Sequence, residues 1–351
     1  MAPCAEVLHS RPSSQVGGAA PSRNDPVRVV DFKSYLHCKR RDVEVPVAIP
    51  SRGRARILCD ETLKTLARYK YAQHQIYVFV NPRDDETSGH GPRHYRQVLA
   101  QAGFSRVHVV DGASTLIGQY RTIVKFMKTI GEGRVLLMSD RVPSIMWRPR
   151  SASLTLLPLP SHYLHPLVSM AFNIMDQQGA RAWSGAPGKN AVNMIPARLS
   201  WKNGLLDGNF TGLNVDKMTD SLLPSVSNLT TDVELSLKVF KADGKFLRLL
   251  GVTAAHQYKT AGGHAETVEH SKRMIQQKAA IKTLAAKFPK LLSLTTKERA
   301  DTCMPYAFRH RGPAPWKVRN LGHARGRRPT KKRPQSNKQR QQAWRDRAHD
   351  K

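Results

Sequence analysis

Short apolar runs and helically spaced apolar positions alternate through the first half of the chain. Residues 45–49 (VPVAI), 75–80 (QIYVFV), 106–110 (RVHVV) and 134–138 (RVLLM) are apolar stretches of strand length, closed by polar or turn-forming residues. Between them, residues 57–69 place Leu58, Thr62, Leu63, Leu66 and Tyr69 at helical intervals. Residues 92–102 and 116–130 suit two further helices, stopped by Gly103 and Gly131. This alternation predicts an α/β fold of Rossmann type, a mostly parallel sheet with helices on both faces. Ligands of such sheets collect at the carboxyl ends of the strands. Here those ends are residues 51–54, 81–85, 111–112 and 139–141.

The second half is less regular. A helix near 165–178, a strand at 181–184 and another at 209–215 precede a helix from Thr231 to about Ala242, ended by Gly244. Residues 245–254 read as one strand, Gly262 and Gly263 as a turn. A last long helix over 266–288 has Met274, Ile275, Ile281, Leu284 and Ala285 on its apolar side. These elements predict one domain over 43–294. Residues 1–42, rich in Ser, Pro, Ala, Gly and Arg, read as a flexible leader, and 295–320 as an irregular extension. From 321 to 351 there are eleven Lys and Arg against two Asp and almost no large apolar residues. Such a basic tail is expected to stay disordered on its own.

Charge changes the picture more than composition does. The 351 residues carry 57 Lys and Arg against 26 Asp and Glu, a formal net charge of +31. A charge that large calls for a polyanionic partner, nucleic acid first and an anionic membrane surface second. In the tail, Arg327, Arg328, Lys331, Lys332 and Arg333 form a dense cluster punctuated by prolines. It suits a phosphate-binding arm and equally a nuclear localisation signal. Cys4, Cys38, Cys59 and Cys303 are scattered without a C-x-x-C pair, so neither a zinc module nor a disulfide framework is indicated. A soluble protein in a reducing, intracellular setting is the expectation. Residues 151–175 lack Asp, Glu, Lys and Arg, but Pro158, Pro160 and Pro166 argue against a membrane span. No continuous apolar run near the first residues marks a secretory signal.

Five segments carry candidate chemistry. Residues 47–54 (VAIPSRGR) end a strand on Ser51, Arg52 and Arg54, which suit a diphosphate. Residues 118–121 (GQYR), Gly118 to Arg121, lie at the start of a helix, whose N–H groups favour anions. Just before it, Asp111 can accept from a ribose or base edge. Residues 136–142 (LLMSDRV) end a strand on Asp140, flanked by Ser139 and Arg141. Residues 230–237 (TTDVELSL) open a helix with Asp232 and Glu234, and Thr231 and Glu234 have capping-box spacing. Residues 256–264 (HQYKTAGGH) put His256 and His264 on either side of a glycine turn.

In this order the segments, with residues 179–185 (GARAWSG) as a middle strand whose Trp183 reads as core, resemble the TET-associated glycosyltransferases. That GT-A-like family occurs in phage-type gene neighbourhoods and is associated with adding sugars to hydroxymethylated pyrimidines in DNA. The resemblance implies transfer of a hexose from a nucleotide diphosphate sugar of the UDP-glucose type, with DNA as partner. It implies donor-binding roles for Ser51, Arg52, Arg54, Asp111, Gly118, Arg121 and Arg141, and a general base at Asp232. His256 and His264 would complete a metal or phosphate site. The family's acidic cluster, which holds Mn2+ or Mg2+ on the diphosphate, is reduced here to Asp140. Three readings stay open at this point. Asp140 holds the cation with help from other ligands, or Arg141 neutralises the diphosphate in its place. In the third, catalysis is lost and the fold is a basic nucleic-acid-binding or virion-associated protein.

Overall fold

The computed structural model describes residues 45–150, 154–256, 270–295, 306–309 and 316–317. The leader, the Gly262–Gly263 turn, His264 and the basic tail with Arg327, Arg328, Lys331, Lys332 and Arg333 lie outside the described residues. Strands β1 (Val47–Pro50), β2 (Ile76–Val80), β3 (His108–Asp111) and β4 (Arg134–Met138) are parallel, in the order β3-β2-β1-β4. The connection after β1 is helical throughout but not uniform. Helices α1 (Ala55–Leu58) and α2 (Lys64–Arg68) flank a π-helical stretch, Cys59–Leu63. The other connections carry α3 (Asp84–Thr87), α4 (Pro92–Gln101) and α5 (Leu116–Thr129).

Beyond β4 follow β5 (Ser144–Trp147), β6 (Leu157–Pro158), α6 (Leu164–Gln177), β7 (Ala182–Gly185), β8 (Arg198–Ser200) and β9 (Phe210–Asn214). Then come α7 (Thr231–Asp243), β10 (Leu247–Leu249), β11 (Val252–Ala255), α8 (His270–Lys287), β12 (Leu292–Leu294), β13 (Tyr306–Phe308) and β14 (Trp316–Lys317). Strand β9 enters antiparallel between β4 and β7, and the sheet continues through β10 and β8 to β14. All strands of this sheet except β8 and β9 run the same way. The expected α/β class, a mostly parallel sheet covered on both faces, is what the chain forms. One face buries Leu58, Leu63, Leu66, Tyr95 and the apolar side of α6; the other buries Ile123 and Met127 of α5 with Leu235 and Val239 of α7. Trp183 is core, as expected, edge-to-face with Phe172 at 5.6 Å and Phe210 at 5.2 Å. A Cβ on Gly212 would run into its indole, so that position on β9 needs glycine.

Three expectations are corrected. Residues 245–254 are not one strand: β10 belongs to the large sheet, whereas β11 pairs with β5 in a separate three-stranded sheet. The chain changes sheets at Gly251, where a Cβ would lie 3.0 Å from the Ala197 amide nitrogen and 3.1 Å from the Ile195 carbonyl. The stretch from 295 is not wholly irregular, because β13 pairs with β12 and β14 with β8. Nor is there a capping box on α7, whose N-cap is Thr230 with no side-chain bond. The buried Glu234 instead accepts from the Ser225 amide (2.8 Å), the Val226 amide (2.7 Å) and the Ser225 hydroxyl (2.8 Å), with Lys238 at 2.9 Å. Burial opposes its ionisation, but those donors outweigh it and hold the carboxyl below its ordinary value. Among the described residues no helix is long and apolar enough to cross a membrane.

Candidate functional site

Parallel pairing of Ala48 with Leu137 brings the loops after β1 and β4 side by side. Ser51 donates from Oγ to Asp140 Oδ2 at 2.8 Å and shares a 2.8 Å bond with the Tyr95 hydroxyl. That hydroxyl also accepts from the Arg54 amide at 2.9 Å, so α4 braces the loop. Arg54 Nη1 lies 3.4 Å from Asp140 Oδ1, and Arg141 Nε lies 4.0 Å from the same oxygen. Arg141 Nη2 reaches His256 Nε2 at 3.4 Å, just past β11. Thr62, within the π-helical stretch, donates to the Ser139 carbonyl at 2.9 Å and accepts from the Val142 amide at 2.9 Å. One hydroxyl thus clamps both sides of the Asp140–Arg141 turn. A π-helical stretch widens a helix locally and is common at functional sites.

Burial is the largest influence on each titratable group of this cluster, and the guanidiniums of Arg54 and Arg141 come next. Burial pushes the Asp140 carboxyl up, while Arg54, the Ser51 hydroxyl and Arg141 pull it back. Arg141 is lowered, first by burial and then by the like charge of Arg54. Burial together with Arg141, Lys189 and Arg54 presses the His256 imidazole down to about 4, so it is neutral at physiological pH. Part-buried Glu61 is raised by burial against the pull of Arg141. An open groove of about 770 Å³, lined in part by Ser144, Met146, Lys189 and Ala255, adjoins His256 along the chain.

This donor set does not fit a hard divalent cation. Such an ion wants several carboxylate or carbonyl oxygens. Asp140 offers one carboxylate, whose oxygens already meet Ser51 and two guanidiniums. His256 stands among cations that would repel a metal. Among the described residues no three His, Cys, Asp or Glu are grouped to hold an ion.

A second cluster has the opposite character. Strand β9 runs antiparallel to β4 with Phe210 opposite Met138, which sets residues 207–209 beside the 139–141 turn. Asp232, in the first turn of α7, accepts from Tyr120 Oη at 3.1 Å, from Thr231 Oγ1 at 3.5 Å and from the Gly208 amide. Burial pushes its carboxyl up against those three donors. Asp207, buried next to it, is pushed up to about 7, first by burial and then by the Asp232 charge. Tyr120 is raised by burial and by Asp232.

The remaining sequence candidates sit apart from both clusters or are already engaged. Arg52 pairs with buried Asp84 at 3.3 Å, at the start of α3. Asp111 is exposed at the end of β3, and Arg121 is exposed on α5. The expected anion cradle at the start of α5 is partly filled by the chain itself: Thr115 Oγ1 accepts from the Gly118 amide at 3.0 Å, and Asn228 Oδ1 from the Ile117 amide at 2.9 Å. Of residues 118–121 it is buried Tyr120 that reaches the carboxylate cluster. Thr62, Tyr95, Tyr120 and Asp207 escaped the sequence reading. Thr62 and Tyr95 fall on the apolar stripes of their helices, and Asp207 lies just before the strand expected at 209–215, in an Asp-Gly pair typical of turns.

No protein-family model matches this chain, and no curated protein does. Solved structures of similar path exist. A mannosyltransferase from Pyrobaculum calidifontis, in complex with GDP-Man and Mn2+, is 12% identical over 72% of this chain and 69% of its own, with a TM-score of 0.43. Glucosyl-3-phosphoglycerate synthase of M. tuberculosis is 8% identical over 79% of this chain and 88% of its own, with a TM-score of 0.40. A cytidylyltransferase from Leptospira borgpetersenii is 11% identical over 70% of this chain and 95% of its own, with a TM-score of 0.36. Likeness at this level speaks to neither activity nor substrate.

Proposed function

We propose that the chain is a glycosyltransferase that moves a hexose from a nucleotide diphosphate sugar of the UDP-glucose type to an acceptor hydroxyl. The observation that carries this reading is the juxtaposition, beside the carboxyl end of β4, of a guanidinium-rich cluster and a carboxylate cluster. Arg54 and Arg141 meet the diphosphate through charge-assisted bonds, in keeping with their planar forked donors. Asp140, itself held by Ser51, holds those guanidiniums in place. Asp232 takes the proton of the acceptor hydroxyl as its oxygen bonds to the anomeric carbon and the bond to the diphosphate oxygen breaks. No step is assigned to a divalent cation, since the donor set does not suit one. The acceptor we infer is a hydroxymethylated pyrimidine in DNA, in an intracellular setting. The motif resemblance and the net charge of +31 support it.

A second reading is a catalytically inactive fold acting as a basic nucleic-acid-binding protein. The closed contacts around Asp140 favour it. Calorimetry with UDP and UDP-glucose, with and without Mn2+, separates the two. The expected result is binding that does not need Mn2+ and is lost in Arg141→Ala. Binding that requires Mn2+ and is lost in Asp140→Ala would restore the metal. The absence of binding under either condition would sink the transferase reading.

A further inference from the structure

Asp207 has no role in the reading above, yet its surroundings are built. Its backbone is held on both sides: the amide donates to Ser184 Oγ at 2.8 Å, and the carbonyl accepts from the Phe210 amide at 2.9 Å and Thr211 Oγ1 at 2.6 Å. Its Oδ1 accepts from the Asn209 amide at 3.2 Å and side chain at 2.6 Å. Its Oδ2 is buried without a hydrogen-bond partner, on a residue only 4% exposed. The intervening Gly208 donates to Asp232, and a Cβ there would come within 2.5 Å of Asp232 Oδ1. Ser236 ties the loop to α7, accepting from the Leu206 amide at 2.7 Å and donating to the Asp232 carbonyl at 2.6 Å. The two carboxyls are therefore fixed as neighbours by a stitched backbone.

We propose that Asp207 is a positioning residue coupled to Asp232 through charge, so that the two carboxyls carry one proton between them near neutral pH and Asp232 serves as the base. The role rests on the transferase reading; the pairing itself does not. The ionisable groups facing the pair are each other and the Tyr120 phenol, and no Lys or Arg among the described residues offsets them. Two carboxylates in a buried site cannot both ionise cheaply, and their protons leave in steps that belong to the pair. The asymmetry of the donors decides who keeps the proton. Asp232 has Tyr120, Thr231 and the Gly208 amide to stabilise its anion, while Asp207 Oδ2 has nothing. Asp207 thus holds the proton, with the upper step at about 7. Asp232, the partly exposed member of the pair, is the first to give up its proton and the one an acceptor can reach.

The test is a carbon-13 NMR titration of the full-length protein labelled at the aspartate carboxyls. One aspartate should titrate near neutral pH and vanish from the spectrum in Asp207→Asn. In Asp232→Asn the same signal should titrate lower by about one pH unit or more, as loss of a like-charged neighbour requires. Should Asp207→Asn fail to fold, Asp232→Asn alone still tests the coupling. A neutral-range signal that ignores Asp232→Asn, or no such signal in the parent protein, overturns the pairing. The role is read separately, from the pH profile of UDP-glucose hydrolysis. It should change across the upper step in the parent and be flat there in Asp207→Asn. A profile unaffected by Asp207→Asn overturns the role. Failure of the transferase reading shows instead as missing nucleotide-sugar binding with the carboxyl coupling intact.

Discussion

At the scale of single residues, the two clusters differ in how they titrate, and stability should report it. Asp207 keeps its proton to about pH 7 when folded, whereas an aspartate in the unfolded chain releases it near ~4. The folded state binds the extra proton between those values. The stability this group contributes is therefore full below the unfolded value and is lost as pH rises toward the folded one. Urea unfolding of the parent and of Asp207→Asn across pH 4 to 8 should show it. The stability of the parent relative to the variant should fall with rising pH, at most by about 1.4 kcal/mol per pH unit. Parallel curves for the two proteins would contradict the assignment. Arg54, Asp140, Arg141 and Asp232 were legible in the sequence because polar residues at strand ends and helix starts stand out against apolar runs. Asp207 was not, because an Asp before Gly reads as turn chemistry wherever it occurs.

At the scale of elements, one helix irregularity and one glycine carry the arrangement. Thr62→Val keeps the shape of the side chain but leaves the Ser139 carbonyl and Val142 amide without their partner. A destabilisation of about 1–3 kcal/mol is expected from the orphaned groups, with weaker UDP binding by a protein that still folds. Thermal unfolding and calorimetry check both parts, and lower stability with unchanged UDP affinity would make the clamp purely architectural. On β9, Gly212→Ala forces Trp183 out of its place between Phe172 and Phe210. Overpacking of this kind costs about 1–3 kcal/mol, and Trp183 being wholly buried, its fluorescence should shift to the red as the core loosens. Helix and strand identities were readable because periodicity is a local property. The sheet change at Gly251 was not, since only the approach of the Ile195–Ala197 backbone imposes it.

At the scale of the whole molecule, charge is the feature with consequences. The tail from 321 holds eleven Lys and Arg against two Asp, within a total of +31. If it meets duplex DNA, removing it should weaken binding and flatten the dependence of log affinity on log salt by about 0.9 for each phosphate that is no longer neutralised. Fluorescence anisotropy with a short duplex at several salt concentrations, on full-length and truncated protein, measures both. An unchanged slope would place DNA binding on the rest of the chain instead.

The amino-acid sequence by itself determined the α/β class, the strand and helix positions of the first half and the polar strand ends, because burial patterns of period two and 3.6 are written along the chain. Tertiary structure alone decided which of those polar residues meet. Ser51 and Asp140 are 89 positions apart, Tyr120 and Asp232 are 112 apart, and Arg141 and His256 are 115 apart. The antiparallel entry of β9 beside β4 brings Asp207 to the carboxyl end of β4. No local pattern encodes such meetings. They follow from strand order and register, which are settled only when both faces of the sheet are buried together.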